Sequence, residues 1–273
     1  MLHLTGLRAA LLGLAMWSLA APAAQAETRL HWYGHSAIRI ETPSGGVILF
    51  DPWLKAPTNP DKDSIGGLGR VDYILLTHGH FDHVGNTVEI GKKTGAELVT
   101  NSDLARNLAA VEGYPKDRIS LHANMGGTVA LPKAGARVTF VQALHSGHLL
   151  LSKPADGGPA AIAGGNPVGF VLEIDRGPTI YYTGDTDLFS DMKLIAEFYK
   201  VDLMIAPIGG HYTMGPARAA LAVEWVNPRQ VIPVHYGTLP VLVGSPAQFK
   251  AALDKRGLGD RLIELKIGET RAF

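Results

Sequence analysis

The stretch Thr77-His78-Gly79-His80-Phe81-Asp82-His83 constrains this chain more than any other. Three imidazoles and a carboxylate crowd into seven residues, directly after an apolar run, Val71 to Leu76, that reads as a buried strand. Such groups are costly to bring together unless a cation sits among them. A polar, pH-sensitive His-rich loop is the plain alternative. Against it stand three more ligand-type residues in the same setting downstream.

The run Val138 to Leu144 ends at His145, Thr179 to Tyr182 leads into Thr183-Gly184-Asp185-Thr186, and Gln230 to Val234 ends at His235. In sheets flanked by helices, sites form outside the carboxyl ends of strands. His78, His80, Asp82, His83, His145, Asp185 and His235 are therefore expected to converge. Seven donors exceed what one tetrahedral catalytic ion uses, whereas two divalent ions sharing a carboxylate use them all. Imidazole and carboxylate without thiolate suit Zn2+ first, with Mn2+, Fe2+ or cobalt as alternatives. The chain has no cysteine, which excludes disulfides, thiolate metal sites and a cysteine nucleophile.

Around these points the pattern alternates strands, turns and spaced helices. Arg29 to Tyr33, Ala37 to Glu41 and Gly46 to Phe50 read as successive strands. Asp51 after them either caps a turn or orients one of the histidines. His35, in a Gly-His-Ser turn, is a second candidate for such support, though a hydrogen-bonded structural histidine is the simpler reading. Val84 to Thr94 is expected as one helix capped by Asp82 and stopped by Gly95. Further helices are expected from Asn101 or Ser102 to about Val111, Leu188 to Tyr199, Pro216 to Val226, and from Ser245-Pro246 to Gly257. Residues 153–167, rich in Pro, Gly and Ala, read as a surface loop of the size that often serves as a lid. His148 before it reads as a solvated loop histidine. His211, Tyr212 and Tyr236 lie just past strand ends and are either substrate contacts or ordinary loop and packing residues.

Residues 1–26 read as a signal peptide. Arg8 is their one charge, Ala9 to Ala21 is apolar but too short to span a membrane, and Ala24-Gln25-Ala26 supplies small residues for cleavage. The mature chain, 27–273, is then exported as one domain, to the periplasm in a Gram-negative cell. Lys and Arg number 25, equal to Asp and Glu, so nothing marks a nucleic-acid or anionic-membrane surface. A small-molecule substrate is the expected partner, without stable membrane insertion and with homo-oligomerisation left open.

THGHFDH followed in order by His145, the Thr-Gly-Asp-Thr aspartate Asp185 and His235 resembles the metallo-β-lactamase superfamily. Gly34-His35-Ser36-Ala37, Ile48 to Pro52, Asn166 to Phe170 and Ile232 to Thr238 are similar to a branch of metal-dependent hydrolases related to L-ascorbate-6-phosphate lactonase. The resemblance runs from about Leu30 to about Phe249, and the leader departs from it. It implies an α/β fold, an αββα sandwich of two mixed sheets with helices outside. It implies one ion on His78, His80 and His145, a second on Asp82, His83 and His235, Asp185 bridging, and a bridging hydroxide as nucleophile on an ester-like bond. Asp82 and Asp185 would be the catalytic carboxylates, Asp82 orienting the nucleophile or carrying a proton. A β-lactamase and a non-catalytic exported binding protein are the rival readings. A diiron redox protein of this fold would carry Glu at His80.

Overall fold

The computed structural model describes residues 27–154 and 156–273. In chain order it contains β1 (Arg29–Gly34), β2 (Ala37–Glu41), β3 (Val47–Phe50), β4 (Tyr73–Leu75), α1 (Phe81–Val84), α2 (Thr87–Thr94), β5 (Glu97–Val99) and α3 (Ser102–Asn107). There follow β6 (Thr128–Leu131), β7 (Ala136–Gln142), β8 (His148–Leu150), β9 (Ala161–Ala163), β10 (Val168–Ile174), β11 (Thr179–Tyr182) and α4 (Met192–Phe198). The last elements are β12 (Leu203–Pro207), α5 (Pro216–Val226), β13 (Gln230–Val234), α6 (Pro246–Asp254) and β14 (Thr270–Ala272). Two six-stranded sheets form, ordered β14-β1-β2-β3-β4-β5 and β13-β12-β11-β10-β7-β6. β3, β4 and β5 are parallel, as are β11, β12 and β13; the remaining neighbours are antiparallel.

The parallel strands read as unbroken apolar runs because both their faces are covered. Along β3, Ile48 and Phe50 enter the layer between the sheets, where they meet Phe140, Phe170 and Tyr182. Val47 and Leu49 point the other way, into a layer with Ile90 of α2 and Leu104 of α3. β12 repeats the alternation: Leu203 and Ile205 face inward, while Met204 and Ala206 pack under Val223 of α5 and Phe249 of α6. The layers are thus helix, sheet, sheet, helix. This is the αββα sandwich, and it leaves the carboxyl ends of the parallel strands for a site.

Several local expectations differ from the structure. The helix expected over 84–94 is two helices, broken at Gly85 (φ 39°), where a Cβ would meet the Trp53 backbone at 2.5 Å. Asp82 sits inside α1 and caps nothing. The segment 153–167 is not wholly loop, since Ala161–Ala163 pairs antiparallel with β8. β14, with three exposed residues, gives no apolar signal and was not anticipated. Asn101 does cap α3, accepting from Leu104 N at 2.9 Å, and Ser245 and Gln248 form a capping box on α6. The signal-peptide expectation falls on residues 1–26, outside the described residues. Among the described residues, no helix is long and apolar enough to cross a membrane.

Candidate metal centre

Asp51, just past β3, is the hub beneath the cluster. Its buried carboxylate accepts from Thr77 N (2.8 Å), Thr77 Oγ1 (2.8 Å), His83 Nδ1 (2.8 Å) and the Tyr182 hydroxyl (2.9 Å). It therefore ties the end of β4 to β3 of the same sheet and to β11 of the other. These bonds also fix tautomers. The Thr77 hydroxyl proton goes to Asp51, so His78 Nδ1, 2.9 Å from Thr77 Oγ1, must donate and leave Nε2 bare. His83 Nδ1 donates to Asp51, which turns its Nε2 toward the cluster. Of the two readings open for Asp51, the orienting one describes its contacts.

His35 takes the same supporting part. Its Nε2 lies 2.9 Å from Asp82 Oδ2 and its Nδ1 3.0 Å from Thr238 Oγ1, while its carbonyl receives the His235 backbone N–H at 3.1 Å. The simpler structural reading of His35 thus gives way to one that touches the cluster. His35, Asp51 and His235 all have φ between 40° and 56°, a left-handed backbone uncommon for residues with a Cβ and concentrated at functional sites. Gly184 (φ +62°) lets the Asp185 loop close on Thr77, where a Cβ would stand 2.9 Å from the threonine methyl.

Two groups of donors face each other. In one, His78 Nε2 and His145 Nε2 lie 2.9 and 3.2 Å from His80 Nδ1. In the other, His235 Nε2 lies 3.5 Å and His83 Nε2 3.9 Å from Asp82 Oδ2. Asp185 Oδ2 reaches both, at 3.7 Å from His145 Nε2, 3.3 Å from His83 Nε2 and 3.0 Å from His235 Nε2. All seven expected donors are thus brought together, and three overlapping subsets of them and His35 could hold a metal ion.

The electrostatics fit cations. His83 Nε2, His235 Nε2 and Asp185 Oδ1 are buried and have no hydrogen bond despite their close neighbours. Orphaned donors of this kind are costly in a finished interior and natural in a metal site. Burial presses His80 down to about 4, with His145 and His148 adding to the push. Burial also lowers His78 well below the usual range, helped by His83. Burial opposes charge on His235, but Asp185 overrides it and lifts the imidazole to about 9. Asp185 likewise resists burial, because His235 and His83 hold its carboxyl well below the usual range. Burial opposes charge on His83 too, but Asp185, Asp51 and Asp82 raise it well above the usual range, so protons on His83 and His235 stand where cations would.

Above it opens a cavity of about 470 Å³ lined by Asp82, Asp185 and three of the ligand imidazoles, together with Ser146, His148, Phe81, Leu150, Tyr212 and Leu239. His148 is exposed, as expected, yet it sits in β8 rather than a loop and contacts the cluster. Its Nδ1 is 3.1 Å from His80 Nε2, the nitrogen turned away from the cluster. Among the three aromatic candidates only Tyr212 lines the cavity. His211 lies outside its wall, ring against Tyr212, and Tyr236 packs on Trp32 at 5.7 Å. Phe81, Leu150 and Leu239 carried no chemical signal in the sequence; the alternation of β8 around Leu149 was the one cue to Leu150.

Residues 47–236 match the family described as beta-lactamase superfamily domain. A UPF0173 metal-dependent hydrolase of Thermodesulfovibrio yellowstonii is 46% identical over 246 residues, 89% of this chain and 91% of that protein. One from Anaeromyxobacter sp. (strain K) is 50% identical over 235 residues, 85% and 82% of the two chains. Among solved structures, Igni18, a metallo hydrolase from Ignicoccus hospitalis, superposes with a TM-score of 0.78 at 31% identity, covering 91% of this chain and 99% of the other. The chain belongs to the beta-lactamase superfamily and, within it, to the UPF0173 metal-dependent hydrolases.

Proposed function

We propose that this hydrolase is dinuclear and cleaves an ester-like bond in a small molecule: a lactone, a carboxylic ester or a phosphodiester. The observation that carries the reading is Asp185, whose Oδ2 stands within 3.7 Å of imidazoles from both donor groups while Oδ1 has no partner. His78 Nε2, His80 Nδ1 and His145 Nε2 would hold one ion, Asp82, His83 and His235 the other, and Asp185 would stand between them. Two divalent ions, zinc foremost and manganese or iron next, would make a water acidic enough to attack near neutral pH and offset charge on the attacked oxygen.

The chain's own groups do the rest. Asp51 and His35 keep the donors aimed. Asp82 lines the cavity, held by its Oδ2 bond to His35, and would orient the attacking water or carry its proton to the leaving oxygen. We also propose that the protein works after export, on the composition of residues 1–26. N-terminal sequencing of protein recovered from outside the cytoplasm should then begin near Glu27.

The test is metal analysis joined to a substrate panel of esters, lactones, phosphodiesters and β-lactams, on protein reconstituted separately with zinc and manganese. Two equivalents of metal and turnover of at least one ester-like substrate are expected. Asp185→Ala should keep the fold and lose roughly a thousandfold in rate. Near-normal turnover in that variant would contradict the assignment, and two bound metals with no turnover would favour a binding protein.

A further inference from the structure

The cavity wall is unlike one built for phosphate. Phe81, Leu150, Tyr212 and Leu239 line it beside the polar Ser146 and His148, and among the described residues no lysine or arginine does. Phe81, Leu150 and Tyr212 are 51%, 44% and 55% exposed, an apolar rim around a polar floor of the kind that marks a ligand site. The rim is braced. Phe81 rests edge-on against Trp53 at 5.6 Å, and Trp53 edge-on against His35 at 5.3 Å. Leu150 faces the cavity because Leu149, its neighbour on β8, is buried in the layer beneath.

The charge of the floor points the same way. Asp51, Asp82 and Asp185 contribute three negative charges, and ligating imidazoles are neutral. Two divalent cations would bring four positive charges and an attacking hydroxide one negative, so the centre would be balanced before substrate arrives. A phosphodiester carries a negative charge into that balance, and sites that select phosphoryl groups supply arginine or lysine to meet it. A carboxylic ester or lactone carries none.

We infer that the site, on the dinuclear reading above, takes an uncharged carboxylic ester or lactone with an apolar acyl chain, and that Phe81, Leu150, Tyr212 and Leu239 set this preference. In the reaction the hydroxide oxygen bonds to the carbonyl carbon and the bond from that carbon to the leaving oxygen breaks. The hydroxide proton passes through Asp82 to the leaving oxygen. The products are a carboxylate and an alcohol, or a hydroxy acid from a lactone.

The experiment uses zinc-loaded full-length protein with p-nitrophenyl esters from acetate to octanoate, aliphatic lactones of rising length, and bis(p-nitrophenyl) phosphate. Each added methylene should raise kcat/KM roughly threefold to fourfold until the cavity is full. Calorimetry with alkyl trifluoromethyl ketones, uncharged and not cleaved, should show the same rise in affinity with chain length. Leu150→Arg, a change at an exposed position, should flatten both series and shift the ester-to-phosphodiester ratio of kcat/KM by tenfold or more toward phosphate. A flat chain-length series, an unmoved ratio in Leu150→Arg, or a higher kcat/KM on the phosphodiester would overturn the inference and leave the dinuclear reading standing. Failure on every substrate, carboxylic and phosphoryl alike, would defeat both.

Discussion

Asp51 shows how much of this site rests on a residue that touches no candidate ion. It takes four hydrogen bonds, two of them setting which nitrogen His78 and His83 present. Asp51→Asn replaces an acceptor by a donor opposite Thr77 and His83, and metal affinity should fall by roughly 10–100-fold. A chelator competition giving wild-type affinity would refute that role. The metal-free protein should also show a stability maximum near pH 6.5. His35 and His80 are pressed down to about 4 by burial, so the unfolded chain binds more protons than the native one between about 4 and 6.5, and stability falls as pH drops through that window. His235 is lifted to about 9, chiefly by Asp185 against the pull of burial; its contribution is complete below 6.5 and is lost as pH rises to about 9. Each proton is worth about 1.4 kcal/mol per pH unit. Thermal melts from pH 4 to 9.5 check this, and a profile rising steadily across that range would be the wrong shape. The seven donors were legible because each follows an apolar strand. His148 was not, since nothing local says that its ring turns toward His80.

At the scale of elements, the β8-β9 hairpin is the part that sequence described least well. Its strands are three residues long and flanked by Gly, Pro and Ala, so propensity points to loop and tertiary contacts decide the outcome. Asn101 supplies much of the anchoring. Its amide donates to the carbonyls of Gly164 and Asn166 while its side-chain oxygen caps α3, and Asn107 donates to the Ala163 carbonyl. The hairpin is also seated on Gly79, where any Cβ would stand 2.5 Å from the His148 carbonyl oxygen. Asn101→Ala should cost about 1–2 kcal/mol, or roughly 3–6 °C in Tm, and should speed amide exchange in residues 161–163. Unchanged exchange there would mean that Leu149 alone holds the hairpin down. The parallel strands were the easy part of the sequence, because burial on both faces leaves continuous apolar runs. The break between α1 and α2 was hidden, because it depends on Trp53 pressing against Gly85 from a distant loop.

On the scale of the whole molecule, the donors are divided between the sheets. His78, His80, Asp82 and His83 follow β4 of the first sheet, whereas His145, Asp185 and His235 follow β7, β11 and β13 of the second. Bound ions would therefore act as a clip across the sandwich at its functional edge, adding to the apolar layer that already joins the sheets. Such binding stabilises only the state in which both sheets are docked, by an amount that grows with the logarithm of free metal and reaches about 2.7 kcal/mol at a hundred times Kd. For a chain of this size that corresponds to a Tm higher by roughly 5–10 °C than in chelator. The metal should also remove the alkaline decline described above, because it replaces the protons on His83 and His235. The informative measurement is calorimetry with metal and with chelator, followed by the same pair on His235→Ala. A clip shifts a single unfolding transition, and loss of one ligand from the second sheet shrinks the shift while leaving the transition single. A metal effect confined to local melting around residues 77–86, with the main transition unmoved, would mean that the ions bind the first sheet alone and that the donors of the second do not share the load.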